Sequence, residues 1–389
     1  MHYRLTTDTW GKEEIDQIKK VIKTNIYTYK GKYVRDYERD LAKYFKTKYC
    51  VSTNSGSSAN LISIAALFFK KKNPLKRGDE VIVPSLAWAT TYMPLQQYGL
   101  KIKVLDINNS TLNVDFETIK NAISKKTKLI IGVSILGNPI EATHISNLCK
   151  KKSIYFMEDN CESMGAKDHN KYCGTFGICN TFSTFFSHHI STIEGGFVLT
   201  DNKEIYEILL SLRSHGWTRD IENKKSFLKL TQKNYEEYSF VLPGYNLRPN
   251  NIQAAVGISQ LKKLKKFIKI RNSNQKYFKK IFKNDDRFLI QNFRKNSSPF
   301  CFTLIIKSKY IKLKSKLFNE MRKNKIEFRL ITGGSFFKHP VKKYFHYKKF
   351  NGSKNVDYLH SNGFFVGNHP KNIFKEIKFL KKILDGVKK

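Results

Sequence analysis

Between residues 12 and 23, apolar side chains return every three or four positions. Ile15, Ile18 and Ile22 fall in one stripe, which predicts an amphipathic helix. Residues 33–45 predict a second helix, with Tyr37, Leu41 and Tyr44 along one face. Val51-Ser52-Thr53 reads as a short strand running into small residues. A strongly apolar helix over 57–69 follows, and Lys70, Lys71 and Lys72 close it with charge that suits a negative C-terminal end. Short apolar runs at 80–83, 102–105, 129–133 and 154–157 read as strands, with helices at 116–123 and 145–151 between the later ones. Further strands are expected near 181–186 and 197–200. Such alternation predicts a mostly parallel sheet with helices on both faces, a three-layer α/β/α domain. After residue 250 the pattern changes: one long helix over 252–270, a strand at 302–306 and a helix at 311–323. The expected division is a large domain over 1–250 and a smaller α+β domain over 251–389.

A chain of 389 residues with 40% apolar content supports two such domains. No run of eighteen apolar residues is present, so no membrane span is expected. Met1-His2-Tyr3-Arg4-Leu5 lacks the apolar stretch of a secretory signal. The six cysteines fit no paired zinc spacing, and free thiols in a cytoplasmic protein are the expectation. The net charge of +39 raises nucleic-acid binding. The lysines, however, are spread along the whole chain among Asn, Ile, Phe and Tyr, as an AT-rich gene would encode. No nucleic-acid-binding motif accompanies them. The expected effect of the charge is a field that draws in an anionic small molecule.

Four segments carry candidate chemistry. Thr53-Asn54-Ser55-Gly56-Ser57-Ser58 ends a strand and starts a helix, whose free N–H groups can hold a phosphate; the ordinary alternative is a helix cap. Asp159 follows an apolar strand, where ligands of open α/β sheets bind. It suits a protonated pyridine nitrogen, or else caps the next helix. Ser183 to Gly196 contains His188-His189 between a strand and a Glu194-Gly195-Gly196 turn, a setting that favours function over accident. Gly244-Tyr245-Asn246-Leu247-Arg248-Pro249 reads as a loop leading into a helix.

Taken in order, these runs resemble the DegT/DnrJ/EryC1/StrS family of sugar aminotransferases, pyridoxal phosphate enzymes of fold type I. The likeness extends over nearly the whole chain. Leu136-Gly137-Asn138-Pro139, Glu158-Asp159-Asn160-Cys161-Glu162 and His215-Gly216-Trp217-Thr218-Arg219 strengthen it. In most of the family a lysine stands six residues before the Glu-Gly-Gly. Here the position holds His188, as in a branch that removes a hydroxyl instead of adding an amine. A lysine amine forms a Schiff base with an aldehyde; an imidazole cannot, but it moves protons.

The resemblance implies an aspartate-aminotransferase-like fold with a smaller C-terminal domain. Pyridoxamine or pyridoxal 5'-phosphate would be held non-covalently. Gly56, Ser57 and Ser183 would bind its phosphate, with Asn246 supplied by the partner subunit of a homodimer. Trp88 would stack on the ring, Asp159 would meet its nitrogen and Glu162 would lie near its hydroxyl. His188 would be the catalytic acid and base, two tasks that lead one to expect a pKa near neutrality. Ser187, His215, Arg219, Glu327 and Arg329 would approach the sugar or the glutamate carboxylate. The implied reaction removes the C3 hydroxyl of a GDP-linked 4-keto-6-deoxy sugar, and L-glutamate restores the amine. A second histidine-bearing branch carries a two-iron cluster on four cysteines, three of them after the histidine. Only Cys301 follows His188 here, so no iron–sulfur cluster is expected.

Two segments depart from the family pattern. Arg329-Leu330-Ile331-Thr332-Gly333-Gly334 lacks a proline after the arginine and is one residue shorter, and Asn138-Pro139-Ile140-Glu141-Ala142 also differs. The rival readings are an aminotransferase that works without the lysine, a dehydratase of another GDP-sugar such as a heptose, and a non-enzymatic regulatory relative.

Overall fold

The computed structural model describes residues 1–221 and 239–387. Its helices are α1 (Lys12–Thr24), α2 (Lys32–Phe45), α3 (Gly56–Phe68), α4 (Ala89–Gln97), α5 (Phe116–Ala122), α6 (Ala142–Lys151), α7 (Lys203–Arg213), α8 (Asn251–Phe282), α9 (Lys314–Lys323), α10 (Lys354–Asn362) and α11 (Phe374–Asp385). Its strands are β1 (Tyr49–Thr53), β2 (Glu80–Pro84), β3 (Lys101–Leu105), β4 (Thr127–Val133), β5 (Tyr155–Asp159), β6 (Lys167–Asp168), β7 (Lys171–Tyr172), β8 (Cys179–Ser183), β9 (Gly196–Thr200), β10 (Phe288–Leu289), β11 (Cys301–Ile306), β12 (Tyr347–Lys349) and β13 (Gly363–Gly367).

Eight strands form one sheet in the order β1-β9-β8-β5-β4-β2-β3-β12. β9 runs antiparallel to both neighbours, and the other pairs are parallel. β1, β8 and β5 therefore point the same way, and their carboxyl ends, Thr53, Ser183 and Asp159, open on one edge. The register is tight there: Gly196 at the start of β9 pairs with Thr53 on one side and Ser183 on the other. A Cβ on Gly196 would stand 2.5 Å from the backbone of Ser55 and Gly56, so only glycine lets α3 begin directly over the sheet.

α3 is apolar on every side and buried along most of its length, as the central helix between sheet and neighbours must be. A second core gathers around the antiparallel sheet β10-β11-β13, where Phe278 of α8 stacks on Phe302 with ring centroids 4.5 Å apart. α8 joins the cores. It is 32 residues long and begins with a reciprocal cap between Asn250 and Gln253. We propose the two-domain division as one of cores more than of chain. Tyr3 belongs to the second core, while β12, from residues beyond 250, extends the large sheet.

Most elements lie where the pattern places them; the long helix expected over 252–270 runs on to Phe282, and three further expectations change. α1 does not bury the stripe of isoleucines: Ile15 and Ile22 are exposed, while Glu14 and Val21 face α8. The reason is polar. Glu14 accepts from Gly11 N at 2.7 Å and Gln260 Nε2 at 2.9 Å and pairs with Lys263 Nζ at 2.7 Å, which fixes that face inward. The helix expected over 311–323 starts as a tighter 3-10 turn, Ser308–Leu313, before α9. The strand expected to reach residue 186 ends at Ser183, because Ser183 Oγ takes Phe185 N and the chain turns there.

Candidate active site

The sheet edge and the start of α3 form the first part of the site. Ser55 caps α3 by accepting from Ser58 N, so the N–H groups of Gly56 and Ser57 stay directed out of the helix end. A Cβ on Gly56 would come within 2.7 Å of Ser183 Cβ, so glycine is needed for helix and strand end to meet. Ser57 is exposed at this corner, its hydroxyl 3.1 Å from Thr90 Oγ1. Gly56, Ser57 and Ser183 thus come together at the positive end of α3.

Asp159 is buried at the end of β5. Its Oδ2 accepts from Asn60 Nδ2 at 2.9 Å and Thr91 Oγ1 at 2.7 Å, and its Oδ1 from Cys161 N at 3.2 Å. Thr181 in turn donates to Asn60 Oδ1 at 2.6 Å. The carboxylate is locked in place by three neutral donors. The sequence pattern gives Asn60 and Thr91 no role at the site. Asn60 leaves one signal, an amide inside an otherwise apolar buried helix.

Glu162, one turn on, accepts Leu136 N at 3.0 Å and Thr332 Oγ1 at 3.2 Å on the same oxygen. Both donors hold left-handed backbone, at φ 53° and 43°, costly conformations for residues other than glycine. Burial and the nearby Asp159 charge push the Glu162 pKa up to about 7, against those two hydrogen bonds. Thr332 lies in the segment that departs from the family pattern. Beside it, Gly333 approaches the Trp88 ring, which stands 58% exposed before α4.

His188 follows the end of β8 and Ser187. Its Nδ1 is 2.5 Å from Cys161 O, and since a carbonyl only accepts, Nδ1 carries the hydrogen and Nε2 keeps its lone pair. Phe300 packs on the ring, with centroids 5.2 Å apart. Burial lowers the pKa to about 4, with help from the Arg271 guanidinium; the Cys161 bond and Asp159 pull the other way. The expectation of a near-neutral pKa is therefore corrected: the resting imidazole is uncharged. A cavity beside it is lined by Ser187, His188, Arg271 and Arg329 and by the N-terminal residues Leu5–Thr7. Glu327 does not turn its carboxylate to this cavity. It accepts Leu5 N at 2.9 Å and meets His2 Nε2 at 3.0 Å, anchoring the N-terminal segment that lines it.

The remaining predicted residues gather elsewhere. Asn246 and Arg219 line a separate cavity with Tyr29, Trp217 and Arg248. Arg248 Nε donates to Asn246 Oδ1 at 2.9 Å, and both arginines lie over the Trp217 ring. His215, with φ 61°, packs edge-on against Trp217. Asn246, Arg219 and His215 thus gather in a second, basic cluster around Trp217, while His188 lines the first cavity.

A phosphorylated pyridine cofactor fits the first cluster. The helix start and two serines suit a phosphate, the fixed Asp159 carboxylate suits a ring nitrogen, and Trp88 offers a flat face beside the opening. Among the described residues no set of three metal-ligating side chains comes together, and all six cysteines are free thiols.

Comparison with known proteins follows the same lines. The chain is 46% identical over 387 residues to GDP-4-keto-6-deoxy-D-mannose 3-dehydratase of Escherichia coli O55:H7, covering 99% of this chain and all of that one. The structure of an E. coli GDP-4-keto-6-deoxy-D-mannose-3-dehydratase with bound hydrated PLP superposes with a TM-score of 0.95 over 99% of each chain at 46% identity. A GDP-4-keto-6-deoxymannose-3-dehydratase with a trapped PLP-glutamate geminal diamine also gives a TM-score of 0.95, over 98% of this chain and all of that one, again at 46% identity. The family model of the DegT/DnrJ/EryC1/StrS aminotransferases matches residues 8–367, and the chain belongs to that family.

Proposed function

We propose that the chain is a pyridoxal/pyridoxamine phosphate-dependent nucleotide-sugar 3-dehydratase. It removes the C3 hydroxyl of GDP-4-keto-6-deoxy-D-mannose to give the 4-keto-3,6-dideoxy sugar, and L-glutamate restores the cofactor amine. The observation that carries the reading is His188. It stands where the family resemblance places a lysine, with Nδ1 committed to Cys161 O and no hydrogen-bond partner for Nε2 among the described residues.

When bound, the cofactor supplies an amine for the sugar's C4 ketone and a ring that spreads negative charge. The chain's residues do the rest. Gly56, Ser57 and Ser183 hold the phosphate. Asp159, braced by Asn60, Thr91 and Cys161 N, pairs with the ring nitrogen and keeps it protonated. Glu162 lies toward the ring hydroxyl, and Trp88 covers the ring. Neutral His188 would take at Nε2 a proton from the cofactor carbon that bears the amine and give it to the C3 oxygen as the C3–O bond breaks and the oxygen leaves as water. Burial makes the imidazolium a willing donor in the second task. Ser187 and Arg329 face the reacting end, and Glu327 acts through the N-terminal segment it anchors.

The separation of Asn246, His215 and Arg219 from His188 supports a homodimer in which these residues complete the partner's site. The free thiols suit a reducing compartment, and we place the enzyme in the cytoplasm. No helix among the described residues is long and apolar enough to cross a membrane.

Borohydride reduction followed by digestion tests the role of His188. The expected result is no pyridoxyl-lysine peptide, with dehydration abolished in His188→Asn. A labelled lysine peptide, or His188→Asn turnover at the parent rate, contradicts it.

A further inference from the structure

One face of α8 carries the loop that bears His188. Gln253 Nε2 donates to Glu194 O at 2.6 Å, Ser191 N donates to Gln260 Oε1 at 3.1 Å, and Arg271 Nη2 lies 3.5 Å from His188 O. The three helix positions are 7 and 11 residues apart, close to two and three turns of about 3.6 residues. The side chains therefore leave α8 in one line along the loop.

Arg271 differs from the two glutamines in carrying a charge, and from Arg213 in lacking an acid. Arg213 is as deeply buried, and its guanidinium meets Glu38 Oε1 at 2.6 Å. Arg271 Nη1 instead donates to two carbonyls, Phe300 O at 2.9 Å and Asn368 O, and Nε finds no partner among the described residues. An arginine buried without a carboxylate is expensive, and a clamp on carbonyls does not by itself call for permanent charge. What surrounds the charge is a set of imidazoles. His188, His189 and His369 all have lowered pKa values, through burial first and through Arg271 in each case.

We propose that Arg271 is the positioning residue for His188: its guanidinium gathers the carbonyls around the imidazole and holds a fixed positive charge beside it. The same guanidinium holds the carbonyl of Phe300, so the aromatic ring that Phe300 lays against His188 is set as well. The other titratable groups around His188 are Asp159, Cys161, Glu162, His189, Cys301, Arg329 and His369. Of these Asp159 favours the imidazolium, and Arg271 opposes it from α8. The consequence is a base that rests neutral and, once protonated, gives its proton up readily. This rests on the reading of His188 as the acid and base.

The test follows the His188 ring signal with pH in protein labelled with 13C-histidine, assigned by its loss in His188→Asn, alongside steady-state turnover with GDP-4-keto-6-deoxy-D-mannose and glutamate. In Arg271→Gln the His188 pKa should rise by about one unit. kcat should fall by about tenfold or more, with KM changed by less than about twofold. Arg271→Lys keeps the charge but not the forked donors, so His188 should titrate close to the parent while kcat stays lowered. A folded Arg271→Gln whose His188 titrates as the parent does overturns the proposal. Should that variant fail to fold, parent kcat in Arg271→Lys overturns it, and a lowered kcat with unchanged KM supports it. The titration needs no turnover. A parent protein that leaves the ketosugar intact therefore contradicts the proposed reaction and not the place of Arg271.

Discussion

His188 carries an imidazole whose Nδ1 is taken by Cys161 O and whose pKa burial pushes down to about 4. The neutral form is the base, so the base is present at every pH well above that value. The acid limb of kcat/KM assigned to His188 should lie near pH 4; a limb at about 6.5, the value of a free imidazole, contradicts the assignment. Gly56 offers a steric test. Gly56→Ala places a methyl 2.7 Å from Ser183 Cβ, so pyridoxamine phosphate should bind about tenfold more weakly, roughly 1.4 kcal/mol, in an absorbance titration. Equal affinity would remove this corner from the phosphate site. The candidate positions Gly56, Asp159, Ser183 and His188 were legible because each sits at or just beyond a strand end that turns into a helix or loop. The residues that hold them were not. Asn60, Thr91 and Arg271 act across 68 to 99 positions of sequence or through backbone carbonyls, and no local pattern encodes such partners.

Among the elements, α1 shows where hydrophobic periodicity misleads. Its isoleucines outline a helix correctly, yet the buried face is chosen by Glu14, a carboxylate that the pattern scores as solvent-facing. Its pKa is lowered despite burial, chiefly because Lys263, Gly11 N and Gln260 hold the ionised form. Lys263→Met should cost about 2–3 kcal/mol in urea unfolding, below the ~3–5 of a fully enclosed pair because the lysine keeps some contact with water. A folded-state pKa below the unfolded one means that this contribution is whole above about pH 4.3 and fades as pH falls through the depressed value. An unchanged midpoint would show that Gln260 and Gly11 suffice. The parallel strands were easier to read, since burial on both faces leaves continuous apolar runs. The edge strand β12, whose three residues are all exposed, carries no such signal.

At the scale of the whole molecule, His188 and Asn246 line two separate cavities. If Asn246 completes the partner's site, His188→Asn and Asn246→Ala subunits, each inactive alone, should recover about a quarter of parent activity when mixed. Half the dimers are then mixed, each with one intact site. No recovery after proven subunit exchange would place both residues in the same subunit's site. The surface charge of +39 acts at this scale too, and its field should speed capture of the GDP-sugar at low salt. The central claim is the reaction itself, and mass spectrometry of the product from GDP-4-keto-6-deoxy-D-mannose and L-glutamate tests it most directly. The account predicts a sugar that has lost the C3 oxygen and keeps its C4 ketone, with ammonia and 2-oxoglutarate formed alongside. A 4-amino sugar with the C3 hydroxyl intact would contradict it.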